Sequence, residues 1–424
     1  MDTIFALSSG SPPAAIAVMR ISGPGAQGAL ISLAGQVPAS RQLKLTALHA
    51  PSGEVLDRGL IAFFPAGGSV TGEDLAELHL HGGRAVIAAV EQALAQMTGL
   101  RRAEPGEFTR RALVHGKIDL AEAEGLADLL SAETELQRRI ALGQAGGLLS
   151  RKVEDWREQV LSLSAQLEAV LDFDDEDDVA VLSPRFSAIL GTLSTEIGIA
   201  LDMPEAEKLR EGFRIAIAGP PNAGKSTLFN TLLGYEAAIA TPIAGTTRDV
   251  IERPVSIEGV PITLVDMAGL HDATTDAVEA IGIERARAEL SRADLVLWLG
   301  PEGEGPVGSW EISAQADRDG AVIKSGARFT ISAATGAGIE SLMNALVEAA
   351  RSALPAPGET VLNRRQRMLV ERAHSALAEA DSAQDPLIVA EHLRSVRVAF
   401  DALLGRTSTE DVLDAIFGRF CIGK

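Results

Sequence analysis

The sequence predicts a multidomain protein in which an α+β domain precedes a helical domain that carries an inserted α/β domain. Three observations lead to this prediction. Residues 1–117 mix short apolar β-type runs with a helical pattern. Apolar residues recur from Leu149 to Val170 at alternating spacings of four and three residues, which indicates a long packed helix. Residues 211–354 alternate apolar strand-like runs with helical stretches, which is typical of a parallel sheet.

The predicted domain boundaries follow these changes of pattern. The α+β domain covers residues 1–117, and the first part of the helical domain covers residues 118–210. The α/β domain covers residues 211–354 and ends at a linker that contains proline and glycine. The second part of the helical domain covers residues 355–424. Because helical segments flank the α/β domain on both sides, we expect the α/β domain to be an insertion.

The individual elements follow from local periodicity. In the first domain, apolar β-type runs predict strands over residues 15–20 and 61–64, and a one-sided apolar pattern predicts a helix over 84–97. The seam of the helical domain is favoured as a bundle core rather than an intermolecular coiled coil, because three heptads are few. In the inserted domain, strands are predicted over residues 213–218, 262–265 and 295–299.

Composition excludes several classes of protein. The 424 residues are 46% hydrophobic and 23% charged, which excludes a disordered chain and a small disulfide-stapled scaffold. The net charge of −20 arises in residues 118–360, so this part is not expected to bind nucleic acid non-specifically. No apolar run predicts a membrane span and no secretory signal is visible. One cysteine, Cys421, fits a reducing compartment, and we expect a cytoplasmic protein.

The strongest motif lies in the inserted domain. Residues 219–226 read GPPNAGKS and match the phosphate-loop pattern GxxxxGK[ST]. Glycines let backbone N–H groups curl around phosphates, Lys225 supplies a cation, and the Ser226 hydroxyl can bind magnesium. A strand precedes the loop, and a helix follows whose N-terminal dipole favours anions. The motif therefore predicts nucleotide binding.

Two further motifs follow in the order that a GTPase requires. Residues 245–249 read GTTRD, where a threonine can sense magnesium and the γ-phosphate. Asp266 and Gly269 form a DxxG motif after a buried-type strand, which places a carboxylate near magnesium and an N–H near the γ-phosphate. Alone, the DxxG motif is weak, because this pattern is usually only a turn. In this order, the three motifs predict GTP hydrolysis.

Three features of a standard GTPase are altered or missing. The base-reading motif NKxD is replaced by AQAD at residues 314–317, which keeps only Asp317, while Ser332 and Ala333 downstream can offer a backbone amide to guanine. Leu270 stands where a water-positioning glutamine is found in Ras-like enzymes, and the loop of residues 245–249 carries no obvious arginine finger. Another cation or a partner must therefore offset the charge that develops during hydrolysis.

Motifs along nearly the whole chain resemble those of one family, the tRNA-modification GTPases called MnmE or TrmE. They read DTI at residues 2–4, RISG at 20–23, TGED at 71–74, HGG at 81–83, PGEFT at 105–109, GKIDL at 116–120 and FCIGK at 420–424. The resemblance implies a folate-binding first domain that dimerises, and a helical domain with an inserted GTPase domain. It also implies modification of carbon 5 of the wobble uridine of certain tRNAs, together with the flavoprotein MnmG (GidA), which carries FAD. The reaction that the resemblance implies is a carboxymethylaminomethyl-type addition with a tetrahydrofolate one-carbon donor of the 5-formyl or 5,10-methylene type.

The resemblance also assigns site residues. Cys421 lies in the terminal CxGK motif, which in this family is tied to the modification reaction, and Glu279 matches the residue that orients the attacking water. Magnesium is assigned to Ser226 and Thr247, and potassium, bound where G domains dimerise, to Asn222, Thr241, Ile243 and Thr246. Folate contacts fall on Arg20, Glu77, Lys117 and Lys424. The GTP-binding positions are Asn222, Ala223, Gly224, Lys225, Ser226, Thr227, Thr241, Thr246, Thr247, Asp266, Gly269, Asp317, Ser332 and Ala333.

Two alternative functions remain open from the sequence. A ribosome-assembly GTPase would share the phosphate loop and the GTTRD segment, but it should carry an appended basic RNA-binding domain, and none is visible. A folate-binding scaffold with a weakly active G domain would explain the altered AQAD motif. The sequence departs from the family pattern at two places. Ala314 and Gln315 replace the Asn-Lys pair, whereas Met267 replaces a threonine and is expected to have little effect.

Overall fold

The computed structural model describes residues 2–172, 184–235, 251–267, 288–318, 321, 323–407 and 409–424. The chain forms two compact units. The first comprises Met1–Ala127 together with Val398–Lys424, and the second comprises Asp128–Arg397. The predicted fold class is confirmed, with a mixed first domain, helices and an α/β sheet. The first unit thus adds residues 118–127 and Val398–Lys424 to the predicted first domain, and the second unit holds the remaining helices together with the α/β sheet.

The first unit contains a six-stranded sheet. Its strands are β1 (Thr3–Leu7), β2 (Ile16–Ser22), β3 (Lys44–His49), β4 (Val55–Phe64), β5 (Leu75–His81) and β6 (Leu100–Arg102). The strand order is β3-β4-β5-β2-β1-β6, and β6 pairs parallel to β1 while the other neighbours are antiparallel. Its helices are Ala26–Ala34, Arg84–Ala95, Glu107–Val114, Leu120–Ser131, which continues into the second unit, and Glu410–Phe417.

Alternation along β2 decides which side chains this sheet buries. Ala17, Met19 and Ile21 are buried in the main core of the unit, whereas Val18 and Arg20 are only half-buried. Successive side chains of a strand point to opposite faces, so Arg20 lies on the face away from that core. The core itself is completed by apolar residues of two helices, Ala26–Ala34 and Arg84–Ala95, in agreement with the helix predicted over 84–97.

The helical part of the second unit contains the predicted seam. Its helices are Glu135–Ala145, Leu148–Asp172, Pro184–Leu201, Ala206–Glu211, Arg364–Ser382 and Pro386–Leu403, of which the last continues into the first unit. Six of the seven seam residues are buried: Leu149, Val153, Trp156, Val160, Leu163 and Leu167. The helix Leu148–Asp172 packs against Pro184–Leu201, which also packs against Arg364–Ser382. The seam is therefore the core of a bundle within the chain, as predicted.

One helical stretch of the described residues passes a test for membrane spans by length and composition. This stretch, Pro184–Glu211, has a mean hydropathy of 1.2 in its most apolar window. Its residues Phe186, Leu190 and Leu193 are buried in the packed helices. A single stretch of this kind is weak evidence, and Pro184–Glu211 is not convincing as a membrane span.

The α/β part contains a second six-stranded sheet. Its strands are β7 (Phe213–Ala218), β8 (Ile251–Ile257), β9 (Val260–Asp266), β10 (Leu295–Trp298), β11 (Trp310–Ser313) and β12 (Phe329–Thr330), in the order β12-β11-β10-β7-β9-β8. Only β8 runs antiparallel to its neighbour. Helices Lys225–Tyr235 and Ile339–Ala353 contribute to the core on one face. The three predicted strands correspond to β7, β9 and β10.

The connection between β10 and β11 is unusual for parallel strands. Residues 299–309, all of which the structure describes, contain no helix, although such crossovers normally contain one. The Trp298 ring lies against Gly300 and Gly305, and its Nε1 donates to the Pro301 carbonyl at 2.9 Å. The buried Lys324 amine donates to the Trp298 carbonyl at 2.9 Å. A large aromatic ring under a glycine-rich loop thus stabilises the connection in place of a helix.

Candidate functional site

The phosphate loop lies at the carboxyl end of a central strand. All six residues of β7 are buried, and β7 is flanked by parallel neighbours β9 and β10. Ligands of open parallel sheets bind at this end of the strands. The Lys225 side chain is buried there, and its Nζ donates to the carbonyl oxygens of Gly219 and Pro220 at 2.9 Å each. A fixed positive charge and the first N–H groups of the helix Lys225–Tyr235 together form an anion-binding site.

Oxygen ligands suited to magnesium lie beside this loop. Asp266 is the last residue of β9, where it pairs with Ile217 near the end of β7, and it is 4% exposed. Ser226 is the second residue of the helix that follows the loop. Carboxylate and hydroxyl oxygens are the hard ligands that Mg²⁺ prefers, so these residues fit that ion.

Part of the predicted site falls on residues that the structure does not describe. These are Thr241, Ile243, Thr246, Thr247, Gly269 and Glu279. Their predicted roles in binding potassium, magnesium and the γ-phosphate, and in orienting water, therefore stay predictions.

The segment that replaces NKxD is held firmly against the strand end that follows β12. The Ala316 amide donates to the Ile331 carbonyl at 3.1 Å. A hydrogen bond from the Ser332 hydroxyl, the largest influence, lowers the pKa of the Asp317 carboxyl below its usual value. The Ser332 oxygen also accepts from the Thr335 amide at 3.1 Å, which fixes its position. Asp317 is therefore an oriented, ionised acceptor, as recognition of the guanine N–H groups requires.

Gln315 contributes a contact that the sequence did not predict. Although the Asn-Lys pair is absent, Gln315 Nε2 donates to the Asn222 carbonyl of the phosphate loop at 3.1 Å. A glutamine amide therefore links this segment to the loop. A second contact joins the helix that follows the phosphate loop to the segment after β12, because the Thr231 hydroxyl donates to the Ala333 carbonyl at 3.4 Å.

Replacing Asp317 with asparagine is expected to lower the preference for GDP over ADP by about 10- to 100-fold. The reason is that the carboxylate accepts hydrogen bonds from guanine, and hydrogen bonds to charged groups contribute about 1.5–3 kcal/mol. Calorimetric titration of both nucleotides measures the ratio. The exposed Asp381, on the helix Arg364–Ser382, provides a control, and Asp381→Asn should leave the ratio unchanged. An unchanged ratio in Asp317→Asn would mean that residues 314–317 do not read the base.

In the first unit, the structure brings together two of the four predicted folate contacts. Arg20 on β2 and Glu77 on β5 are cross-strand partners, and Arg20 Nε lies 2.9 Å from Glu77 Oε1. His79 Nε2 lies 3.2 Å from the other carboxylate oxygen. Burial raises the pKa of Glu77, but hydrogen bonds from Arg20 and His79 outweigh it, so the net pKa is lowered. Glu77 is thus an ionised acceptor at neutral pH, with a cation beside it.

The other two predicted folate contacts lie on different segments. Lys117 Nζ donates to the Gly67 carbonyl at 3.0 Å. Lys424 is anchored through its backbone, because its carbonyl accepts from the Phe108 amide at 3.2 Å. His79 was not predicted, although it lies two residues after Glu77 on β5, and residues two apart on a strand share a face.

The C-terminal tail docks on the first domain. Ile422 forms an isolated antiparallel bridge with Pro105, and the Ser8 hydroxyl donates to the Gly423 carbonyl at 2.7 Å. Gly423 has φ +97°, and a Cβ there would lie 2.0 Å from the Leu7 carbonyl oxygen. Only glycine fits this approach.

Cys421 lies on this tail with its side chain exposed. This exposure excludes a role for Cys421 as a buried structural cysteine. The thiol belongs to the same compact unit as Arg20 and Glu77, whereas the phosphate loop belongs to the other unit. The bridge to Pro105 and the contacts that Gly423 and Lys424 make are thus part of the structure of the first unit.

These features define a phosphate-loop GTPase joined to a helical part and a distinct α+β domain. Comparisons with known proteins agree. Residues 3–117 match the family described as GTP-binding protein TrmE N-terminus, and residues 120–421 match the MnmE helical domain. The proteins named tRNA modification GTPase MnmE from Erythrobacter litoralis and Novosphingobium aromaticivorans are 60% and 58% identical, each over 100% of both chains. The relative from Rhizorhabdus wittichii is 56% identical over 100% of this chain and 97% of its own.

The chain therefore belongs to the tRNA modification GTPase MnmE family. Accordingly, it is a GTPase with a role in tRNA modification.

Proposed function

We propose that this chain couples potassium-dependent GTP hydrolysis to modification of carbon 5 of the wobble uridine of certain tRNAs, together with the flavoprotein MnmG. The observation that supports this proposal most is the tail docked on the first domain. It places the exposed Cys421 in the compact unit that holds the Arg20–Glu77 pair. Chemistry on the uridine and hydrolysis of GTP are accordingly assigned to different units of the chain. The reaction takes place in the cytoplasm, where both proteins meet tRNA.

The residues of the first domain fit a tetrahydrofolate derivative of the 5-formyl or 5,10-methylene type. The ionised Glu77 can accept hydrogen bonds from the amino-pyrimidine edge of a pterin, and Arg20 keeps it oriented. The ammonium groups of Lys117 and Lys424 suit the anionic glutamate tail. When bound, the folate supplies the one-carbon unit of the modification, and FAD belongs to the partner flavoprotein.

The phosphate site fits two cations. Ser226 and Thr247 would hold magnesium, and Asn222, Thr241, Ile243 and Thr246 would hold potassium. Asn222 supports this assignment because it is an exposed carboxamide in the phosphate loop with a left-handed backbone, φ +61°. A monovalent cation at the phosphates supplies the positive charge that an arginine finger provides elsewhere. Glu279 would orient the attacking water.

A second copy of the chain would cover the outer face of the first domain's sheet. Leu45 and Leu60 are cross-strand partners on β3 and β4, and their exposed fractions are 66% and 36%. Leu60 in turn pairs with His79, next to the Arg20–Glu77 pair. An apolar strip beside a charged pair supports the proposal of a homodimer through this domain.

GTP turnover is expected to be at least tenfold faster in potassium than in sodium. The reason is that potassium supplies the positive charge of the missing arginine finger, and Asn222→Ala should reduce the response. Steady-state hydrolysis in the two chlorides at equal ionic strength measures it. Asn230→Ala, an exposed change on the helix Lys225–Tyr235, is the matched control and should keep the response.

Equal rates in both salts would contradict potassium dependence. Absence of turnover in either salt would favour the alternative of a folate-binding scaffold, for which the AQAD segment is the motivating feature.

Changing Cys421 to serine is expected to abolish wobble-uridine modification and to leave GTP hydrolysis unchanged. The exposed thiol can serve the modification as a nucleophile or a proton donor, and the phosphate loop lies in the other unit. The modified base is measured by mass spectrometry of tRNA from cells that lack the native gene and express the variant. The chain lacks a second cysteine, so Ser40→Ala, an exposed change in the same unit, serves as the control. Normal modification by Cys421→Ser would refute a chemical role, and loss of both activities with a lowered melting temperature would indicate a structural one.

A further inference from the structure

Two residues of the nucleotide site adopt a backbone conformation that side chains disfavour. Among the described residues, four non-glycine positions have a positive φ: Arg41, Asn222, Glu258 and Gln315. Asn222 lies in the phosphate loop with φ +61°, and Gln315 lies in the AQAD segment with φ +59°. The left-handed region crowds Cβ against the backbone, and residues held there cluster at functional sites.

These two residues contact each other. Gln315 Nε2 donates to the Asn222 carbonyl oxygen at 3.1 Å. The same side chain extends over Gly224, where an added Cβ would lie 3.2 Å from Nε2 and 3.5 Å from Cγ of Gln315. The glycine thus leaves room for the amide to reach the loop, and the hydrogen bond joins the two left-handed positions directly.

Both ends of this contact are anchored. On one side, the Arg318 amide donates to the Gln315 carbonyl and the Ala316 amide donates to the Ile331 carbonyl, each at 3.1 Å. On the other side, the Ala223 amide donates to the Pro220 carbonyl at 3.3 Å within the phosphate loop. The contact therefore links two fixed segments rather than a loose side chain to a surface.

We infer that Gln315 is a positioning residue that holds the phosphate loop and the base-reading segment at a fixed separation. In this chain, the Gln315 amide forms the linking hydrogen bond, because the methyl group of the neighbouring Ala314 cannot donate one. A nucleotide spans the two segments, with its phosphates at Lys225 and its base at Asp317. Because the two segments are linked before the nucleotide arrives, less ordering is needed when it binds. The inference rests on nucleotide binding by the phosphate loop, and its test requires neither potassium nor tRNA.

The chemistry distinguishes positioning from base reading. The Gln315 amide contacts the loop backbone, so its loss should weaken GDP and ADP binding by the same factor. Loss of the Asp317 carboxylate should instead change the ratio between the two nucleotides. A lysine at position 315 can also donate to the Asn222 carbonyl and should substitute for the amide.

The test compares Gln315→Ala, Gln315→Gly and Gln315→Lys, with GDP and ADP affinities measured by calorimetry on the full chain. We expect Gln315→Ala to weaken both nucleotides equally, by about two- to tenfold, as for one net hydrogen bond. Gln315→Lys should stay within twofold of the wild type. Gln315→Gly relieves the left-handed backbone yet lacks the amide, so it should bind as weakly as alanine while its melting temperature does not fall.

Three outcomes would overturn the inference: unchanged affinities in Gln315→Ala, a loss confined to GDP, or full affinity in Gln315→Gly. The second would make Gln315 a base-reading residue, and the third would assign the effect to backbone strain. Gln166→Ala is the matched control, because Gln166 also donates from Nε2 to a backbone carbonyl, that of Ser162, on the helix Leu148–Asp172. Nucleotide affinity tests this inference, whereas wobble-uridine analysis tests the proposed function, so either can fail alone.

Discussion

Replacing Lys225 with methionine is expected to reduce GTP hydrolysis by about a thousandfold. The Lys225 amine is buried and held at the phosphate loop by the carbonyls of Gly219 and Pro220, at 2.9 Å each. A positive charge fixed where phosphate charge develops stabilises the transition state, and removing one such group typically costs two to three orders of magnitude. Methionine fills a similar volume, so the fold should persist. Single-turnover hydrolysis and GDP titration measure the change.

Lys152→Met provides the matched control for this change. Lys152 lies 5.4 Å from the centre of the Trp156 ring on the helix Leu148–Asp172, away from the phosphate loop in the sequence. The Lys152→Met variant should hydrolyse GTP at the wild-type rate. A rate for Lys225→Met within tenfold of the wild type would show that residues 219–226 are not the site of hydrolysis.

Changing Gly423 to alanine is expected to reduce wobble-uridine modification at least tenfold while GTP hydrolysis continues. Gly423 has φ +97°, and its Cα approaches the Leu7 carbonyl so closely that an added Cβ would lie 2.0 Å from that oxygen. The tail must then move, and Cys421 and Lys424 move with it. A displaced thiol should fail in the reaction even though its chemistry is intact. Mass spectrometry of tRNA measures modification, and limited proteolysis measures release of the tail.

Gly28→Ala is the control for this second change. Gly28 lies in the helix Ala26–Ala34 of the same unit, and an added Cβ there meets nothing within 4 Å. It should keep both activities and a protected tail. Full modification by Gly423→Ala with a released tail would mean that tail docking does not position the reacting group.

Local pattern predicted much of the fold. The strands β7, β9 and β10 were recognisable because consecutive apolar residues are typical of a sheet buried on both faces. The seam from Leu149 was recognisable because its spacing matches the helical repeat. The phosphate loop was also recognisable, since its glycines and Lys225 follow a fixed spacing around the phosphates.

Contacts between distant segments were not predictable from local pattern. Gln315 reaches Asn222 across 93 positions of the sequence, and neither residue type indicates the other. The resemblance to a family assigned Arg20 and Glu77 separately, and only the register of β2 and β5 shows that they are partners. The connection of residues 299–309 was equally hidden, because the ring that supports it belongs to the preceding strand.

The discontinuous first unit has a consequence for how the protein is made. Val398–Lys424 completes a unit that begins with Met1–Ala127, yet residues 128–397 are synthesised in between. At the usual 5–20 residues per second, the ribosome needs roughly 15–50 s for that intervening stretch. During this time the first unit lacks two contacts of the tail. These are the close approach of Gly423 to Leu7 and the bridge between Ile422 and Pro105. A nascent chain therefore acquires its thiol, and with it the complete first unit, only after residues 128–397 have been synthesised.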